Sequence, residues 1–133
     1  MSHWVKVKTK VRSLDMLKKA LTRMGLNFQE GNHSIKVDGR SEIAQIKFDD
    51  AVGLALQKDG TYAMVGDFYY SKSKKLKDYY YNNNKFGSDL STAYSIEEVK
   101  TRLEEKQFYC SENSEAKLGE DGMITMVYES WNA

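Results

Sequence analysis

The chain has 133 residues, one domain's length, and its 41% hydrophobic and 12% aromatic content is that of a folded protein rather than a disordered one. Its 20 basic and 19 acidic side chains leave a net charge of +1, which excludes a wholesale polycation but not a local basic face. No apolar run is long enough to cross a membrane or to act as a secretory signal, and the one cysteine, Cys110, cannot pair within the chain, so a reducing cytoplasm is the expected setting.

Trp4 to Arg12 alternates strictly, with Val5, Val7, Thr9 and Val11 on one face and Lys6, Lys8, Lys10 and Arg12 on the other. A period of two predicts a half-buried strand. Ser13 supplies a hydroxyl N-cap, and Leu14, Leu17, Ala20, Leu21 and Met24 then recur at helical spacing until Gly25 stops the helix.

Short β-like runs come next, each closed by turn chemistry. Leu26 to Glu30 ends at Gly31-Asn32, and Ser34 to Val37 ends at Asp38-Gly39. Ile43 to Phe48 leads through Asp49-Asp50 into Val52 to Gln57, and Asp59-Gly60 turns the chain into Thr61 to Tyr69. Asp-Gly between apolar runs is a strong hairpin signal because glycine accepts a positive φ. The chain has no proline to block ladder pairing, so the runs predict an antiparallel sheet.

Residues 70–93 read as a polar Tyr/Lys/Asn excursion holding a helical turn or two, because no period persists across them. Ser95-Ile96-Glu97-Glu98 has the pattern of a capping box, which predicts a second helix starting there with Ile96, Val99 and Leu103 inward. A strand near Phe108 to Ser111 and another from Met123 to Trp131, after a turn at Glu120-Asp121-Gly122, complete the reading. Ser13-Leu14-x-x-Leu17-x-x-x-Leu21 echoes Ser95-Ile96-x-x-Val99-x-x-x-Leu103. The expected architecture is one α+β domain over 1–133, with helices on one face of a mainly antiparallel sheet; the echo has two readings, a repeated helix–strand–strand unit of ferredoxin-like type or two such units alike by physics alone.

Residues 1–26 hold seven basic side chains and one acid, and residues 68–86 hold five lysines against Asp78, interleaved with Phe68, Tyr69, Tyr70, Tyr79, Tyr80, Tyr81 and Phe86. Cations for phosphates and rings for bases are the ingredients of single-strand nucleic-acid binding, and a sheet with helices on one side is expected to leave its other face open for it. The same lysines also serve simply to keep a sheet face wet and its edge unpaired. Three tyrosines in a row, Tyr79-Tyr80-Tyr81, cannot all be buried in a helix or a strand, so at least one ring is free for contact. Segment 95–122 carries eight acids and four bases, a solvated helix and loop on the simplest reading.

Metal and catalytic patterns are sparse. His3 and His33 are the only imidazoles and have no ligand spacing, so no metal and no cofactor are expected. Cys110 reads as a small buried hydrophobe, and Trp4 and Trp131 as core or sheet-edge rings. The carboxylates Asp49, Asp50 and Asp59 read as turn residues. Asp67, after an apolar strand, is the one acid set apart. No phosphate-cradling glycine loop occurs, so no enzymatic activity is expected.

Several stretches resemble a family. They are Met1-Ser2-His3-Trp4 running into Val7-Lys8-Thr9-Lys10, Asp59-Gly60-x-Tyr62-x-x-Val65-x-Asp67, Ala93-Tyr94, and Asp121-Gly122-x-Ile124-x-x-Val127-x-x-x-Trp131. Together they resemble the hypothetical chloroplast reading frame thirty-five family of plastids and cyanobacteria, a domain of unknown function. Three departures, the reduced turn Asp38-Gly39-Arg40, Ser95 in place of a histidine, and the Tyr-Lys-Asn segment, suit a diverged short member of cyanophage or marine type. The resemblance implies a setting, the cytosol of a cyanobacterium-like or virus-infected cell, and no activity.

The resulting expectation is a non-enzymatic binding or accessory protein that meets a protein partner through Tyr69, Tyr70, Lys74, Lys75, Tyr79, Tyr80, Tyr81 and Lys85. Single-stranded nucleic-acid binding through Lys6, Lys8, Lys10 and Arg12 with the same tyrosines is the alternative, and Asp67 is the family-motif residue to test.

Overall fold

The computed structural model describes residues 3–106 in full and, beyond them, the backbone of four short strands. In chain order the elements are β1 (Val5–Lys8), α1 (Leu14–Arg23), β2 (Gln29–Val37), β3 (Arg40–Asp49), β4 (Val52–Leu56) and β5 (Tyr62–Gly66). Next come a 3-10 turn (Phe68–Tyr70), α2 (Lys74–Lys77), a second 3-10 turn (Asp78–Tyr81) and α3 (Asn83–Glu105). The last strands are β6 (Phe108–Cys110), β7 (Lys117–Leu118), β8 (Ile124–Thr125) and β9 (Tyr128–Ser130).

Local signals account for the first half. The Ser13 side chain accepts the Met16 N–H, and α1 buries Leu17, Ala20 and Leu21. At its end Gly25 (φ +74) donates to the Thr22 carbonyl and Leu26 donates to that of Leu21, the paired bonds that close a helix on a left-handed residue. Asp38 and Gly39 take φ values of 48 and 81, the two positive angles of a type I′ hairpin between β2 and β3. Gly31-Asn32 is different from its expected role as a turn. β2 runs straight through it, and the extra residues form a bulge between Glu30 and His33.

The five strands pair antiparallel throughout in the order β1-β5-β4-β3-β2. One face carries Val7, Met64, Leu54 and Ile46 in register and packs on α1, α2 and α3 through Leu17, Leu21, Leu76, Phe86 and Leu90. This is the α+β arrangement with helices on one face. The strand order is a meander from β2 to β5 with β1 added at the β5 edge, so the chain's two halves do not interleave as in a ferredoxin-like sheet. Among the described residues the strands after α3 pair with one another, β6 with β9 and β7 with β8.

Two further expectations are corrected. Helix α3 begins at Asn83, twelve positions before the capping-box pattern, so Ser95 lies in mid-helix and caps nothing. Burial decides this. Phe86, Leu90, Ala93 and Ile96 form a helical stripe against the core, whereas Val99 is exposed. The second correction concerns the sheet face opposite the helices, which is not open. Its centre is made of Gly53, Ala55, Ala63 and Val65, and Ile35 and Ala44 from the bent β2–β3 hairpin close over it with no exposed surface. A Cβ on Gly53 would stand 2.9 Å from the Ile35 side chain, and the Lys36 N–H donates to the Asp50 carbonyl at 3.1 Å, so the hairpin is folded onto the sheet.

The expectations for Cys110 and Trp131 as side chains, and for the turn at 120–122, fall outside the described residues.

Candidate functional site

The chain leaves β5 through Gly66, and the backbone there sets its course into the aromatic segment. The φ of Gly66 is +124, and a Cβ on it would stand 1.9 Å from the Ala51 carbonyl oxygen. Only glycine fits, and the next residue, Asp67, is thereby turned inward with its N–H on that same carbonyl. The Asp67 side chain is fully buried. Its Oδ1 accepts the Tyr69 N–H, capping the first 3-10 turn, and its Oδ2 accepts the His3 N–H, fastening the start of the chain beside it. Both oxygens are used by backbone donors, which makes Asp67 a structural clamp at the base of the aromatic segment.

Asp49 holds the other side. Its Oδ1 accepts from Ala51 and Val52 across the β3–β4 turn, and its Oδ2 accepts the Ser71 hydroxyl at 2.7 Å and the Lys72 N–H at 3.0 Å. The residue that the sequence reads as a plain turn former therefore ties that turn to the segment carrying the tyrosines. Ser73 then caps α2, whose one buried side chain, Leu76, pins it to the core.

Held this way, the aromatic residues divide into two layers. Phe68, Tyr79 and Phe86 pack inward with ring centroids 5.3 to 5.7 Å apart. The Tyr79 hydroxyl donates to Asp89 at 2.6 Å, and burial together with that carboxylate pushes the phenol well above its ordinary pKa. The outer layer is a ladder, Tyr70–Tyr69–Tyr80–Tyr81, with successive centroids 5.1, 5.3 and 5.2 Å apart in edge-on or tilted pairs. Such pairs hold one another in place beyond what burial alone contributes. Tyr69, Tyr70 and Tyr81 are exposed, Tyr81 by 88%, and Tyr80 is half-buried against the edge of the His3 ring. Lys77 lies 5.4 Å over the Tyr69 ring.

The sequence-predicted site residues are therefore only partly gathered. Tyr69, Tyr70, Tyr80 and Tyr81 form one surface. Tyr79 and Lys85 belong to a separate groove of 550 Å³ with Lys75, Met24, Leu26 and Asp89. There Lys85 pairs with Asp89 at 3.0 Å, and Lys75 points at the carbonyls ending α1. Lys74 is exposed. Lys77, His3 and Asp38 belong to the ladder surface and were missed. No local pattern marks them, since His3 and Asp38 reach it only through tertiary structure.

The lysine row runs away from this surface. Lys6 pairs with Glu42 at 3.1 Å and donates to Gln57, and Arg12 donates to the Asp59 carbonyl at the β4–β5 turn, the opposite end of β5 from Asp67. Lys8 and Lys10 are exposed, and β1 itself ends at Lys8. Among the described residues no three His, Cys, Asp or Glu side chains are placed to hold a metal ion, and no helix is long and apolar enough to cross a membrane.

No family model and no solved structure matches the chain. A protein of Pyropia yezoensis described as uncharacterized protein ycf35 is 29% identical to it over 140 aligned positions, covering 99% of each chain. That match runs the length over which the motifs Asp59-Gly60-x-Tyr62-x-x-Val65-x-Asp67 and Ala93-Tyr94 resemble the same family. From end to end, then, the chain is similar to a ycf35 protein, whose family is the one that those motifs resemble.

Proposed function

We propose that the protein is a small non-enzymatic binding or accessory protein that docks a protein partner on its tyrosine ladder. The observation that carries this reading is four tyrosines packed edge-on or tilted against one another, three of them exposed, on a segment clamped by two carboxylates. Rigid, exposed aromatic area of this kind is characteristic of the centre of a protein interface, where tyrosine contributes large contact surface with few rotatable bonds. Asp67 serves this role by positioning the segment and takes no part in any chemistry. The setting we propose is the cytosol of a cyanobacterium-like or virus-infected cell, in keeping with the similarity to ycf35.

Single-stranded nucleic acid is the second reading, and the exposed Lys8 and Lys10 favour it. It is the weaker one. Lys6 is already paired, Arg12 is engaged at the far end of β5, and the sheet face beneath the row is closed by Ile35.

The test is affinity capture from a cyanobacterial lysate, comparing the wild type with a Tyr69→Ser/Tyr81→Ser variant and a Lys8→Glu/Lys10→Glu variant. The expected result is a defined protein lost by the tyrosine variant, kept by the lysine variant and unaffected by nuclease. Material that survives the tyrosine changes, or disappears with nuclease, overturns the reading.

A further inference from the structure

Two rings of the aromatic segment already carry cations from the chain itself: Lys77 over Tyr69 at 5.4 Å and Lys85 over Tyr79 at 5.7 Å. Among the described residues, no lysine or arginine is placed over Tyr70 or Tyr81 in this way. Tyr70 also stands at the ladder's acidic end. It forms one wall of a 270 Å³ cavity whose other walls include Asp38, Asp49, Asp50 and Lys72.

The three carboxylates are not equivalent. Asp49 has both oxygens filled by four hydrogen bonds, and Asp50 is paired with Lys47 at 2.8 Å. Asp38, at the tip of the folded-over hairpin, has no hydrogen bond or ion pair among the described residues. Lys36 and Lys72 also line the cavity, and both are exposed. Lys36, Lys72 and the Lys47 held by Asp50 balance the three acids, so what sets this end apart is Asp38, a carboxylate without a partner among the described residues, beside an uncovered ring.

We propose that this end of the ladder receives an arginine from the partner's chain, its guanidinium stacked on the Tyr70 ring and forked onto the Asp38 carboxylate. The proposal rests on the ladder being the docking surface and adds the chemistry of what it recognises. Arginine fits better than lysine because a planar guanidinium both stacks on a ring and meets a carboxylate with two donors. Asp38 also holds the Tyr70 phenol above its ordinary pKa, as a facing carboxylate would.

The test uses fluorescently labelled peptides of equal length, a Gly-Arg, a Gly-Lys and a Gly-Glu repeat, beside labelled oligo-dT. Each is titrated by anisotropy against the wild type, Asp38→Asn and Tyr70→Leu. Asn suits the positive φ of position 38, so that variant keeps the turn, and near-ultraviolet circular dichroism checks it. The expected result is that Gly-Arg binds, Gly-Lys binds more weakly, and Gly-Glu and oligo-dT do not. Each variant should weaken Gly-Arg about tenfold. Failure to bind Gly-Arg, or binding unchanged by Asp38→Asn, overturns the proposal, as does oligo-dT binding that depends on Tyr70. A dimer in size-exclusion light scattering that Tyr81→Ser dissociates overturns it too, making a second copy the occupant. The ladder reading fails separately, when capture from lysate ignores Tyr69→Ser/Tyr81→Ser. Capture that needs those tyrosines but ignores Asp38→Asn removes the arginine and leaves the ladder.

Discussion

Tyr79, Tyr62 and Tyr70 have phenols raised above the ordinary value of 10.0, the first two chiefly by burial and the third chiefly by a neighbouring charge. For Tyr79 it is burial first and the Asp89 carboxylate second, and for Tyr62 it is burial, then Glu30. For Tyr70 it is Asp38 first, ahead of burial. A phenol whose pKa is raised by folding favours the fold below its unfolded value, and that contribution is lost as pH rises through the raised value. In an alkaline tyrosinate absorbance titration these three rings should therefore ionise above the ordinary phenol value, Tyr79 last of the three. Asp38→Asn moves Tyr70 back toward the ordinary phenol value while leaving Tyr79 in place. Titration curves of the wild type and Asp38→Asn that superimpose would contradict the Asp38–Tyr70 juxtaposition. Sequence could show that Tyr79-Tyr80-Tyr81 cannot all be buried. It could not show that Tyr79 is the inward ring, because that depends on Asp89 and Phe86 arriving from a helix whose start the local pattern misplaces.

The elements that were legible are those whose start and stop signals lie within the element itself. Helix α1 has its hydroxyl cap, its apolar stripe and its left-handed stop in one stretch from Ser13 to Gly25, and it forms where they say. The Asp38-Gly39 hairpin is equally local. Helix α3 is the contrary case. Ser95 to Glu98 satisfies the capping-box pattern, yet Phe86, Leu90 and Ala93 gain more by continuing the helix backwards into the core than Ser95 gains by ending it. Substitution separates the two serines. Ser13→Ala removes a true cap and should cost about 1 kcal/mol in denaturant unfolding. Ser95→Ala, in mid-helix, should be neutral or slightly stabilising. A loss of similar size at both positions would place a helix start at Ser95 after all.

Across the whole molecule, the sheet sorts the chain's charges and rings in a way no window of sequence displays. Counted locally, residues 1–26 and 68–86 look like one basic, aromatic nucleic-acid surface. In three dimensions the lysine row runs toward the Asp59-Gly60 turn, the ladder sits beyond the other end of β5, and the hairpin closes the face that would have joined them. That closure was illegible because it needs a bend in β3 and the contact of Ile35 with Gly53, distant residues with nothing in their own neighbourhoods to announce it. Asp38 reaches Tyr70 by the same folding, so the covered face and the acidic end of the ladder have one structural origin.

The tyrosine ladder, and not the lysine row, is the surface that meets a partner on this account. The most direct measurement places a photoreactive phenylalanine analogue at Tyr81 in one preparation and at Lys8 in another, both exposed positions. Each is irradiated in a cyanobacterial lysate, and the adducts are identified by mass. The account predicts a single protein adduct at position 81, abolished when Tyr69 is also changed to Ser, and none at position 8. Adducts to nucleic acid, or a protein adduct at position 8 with none at 81, would contradict it.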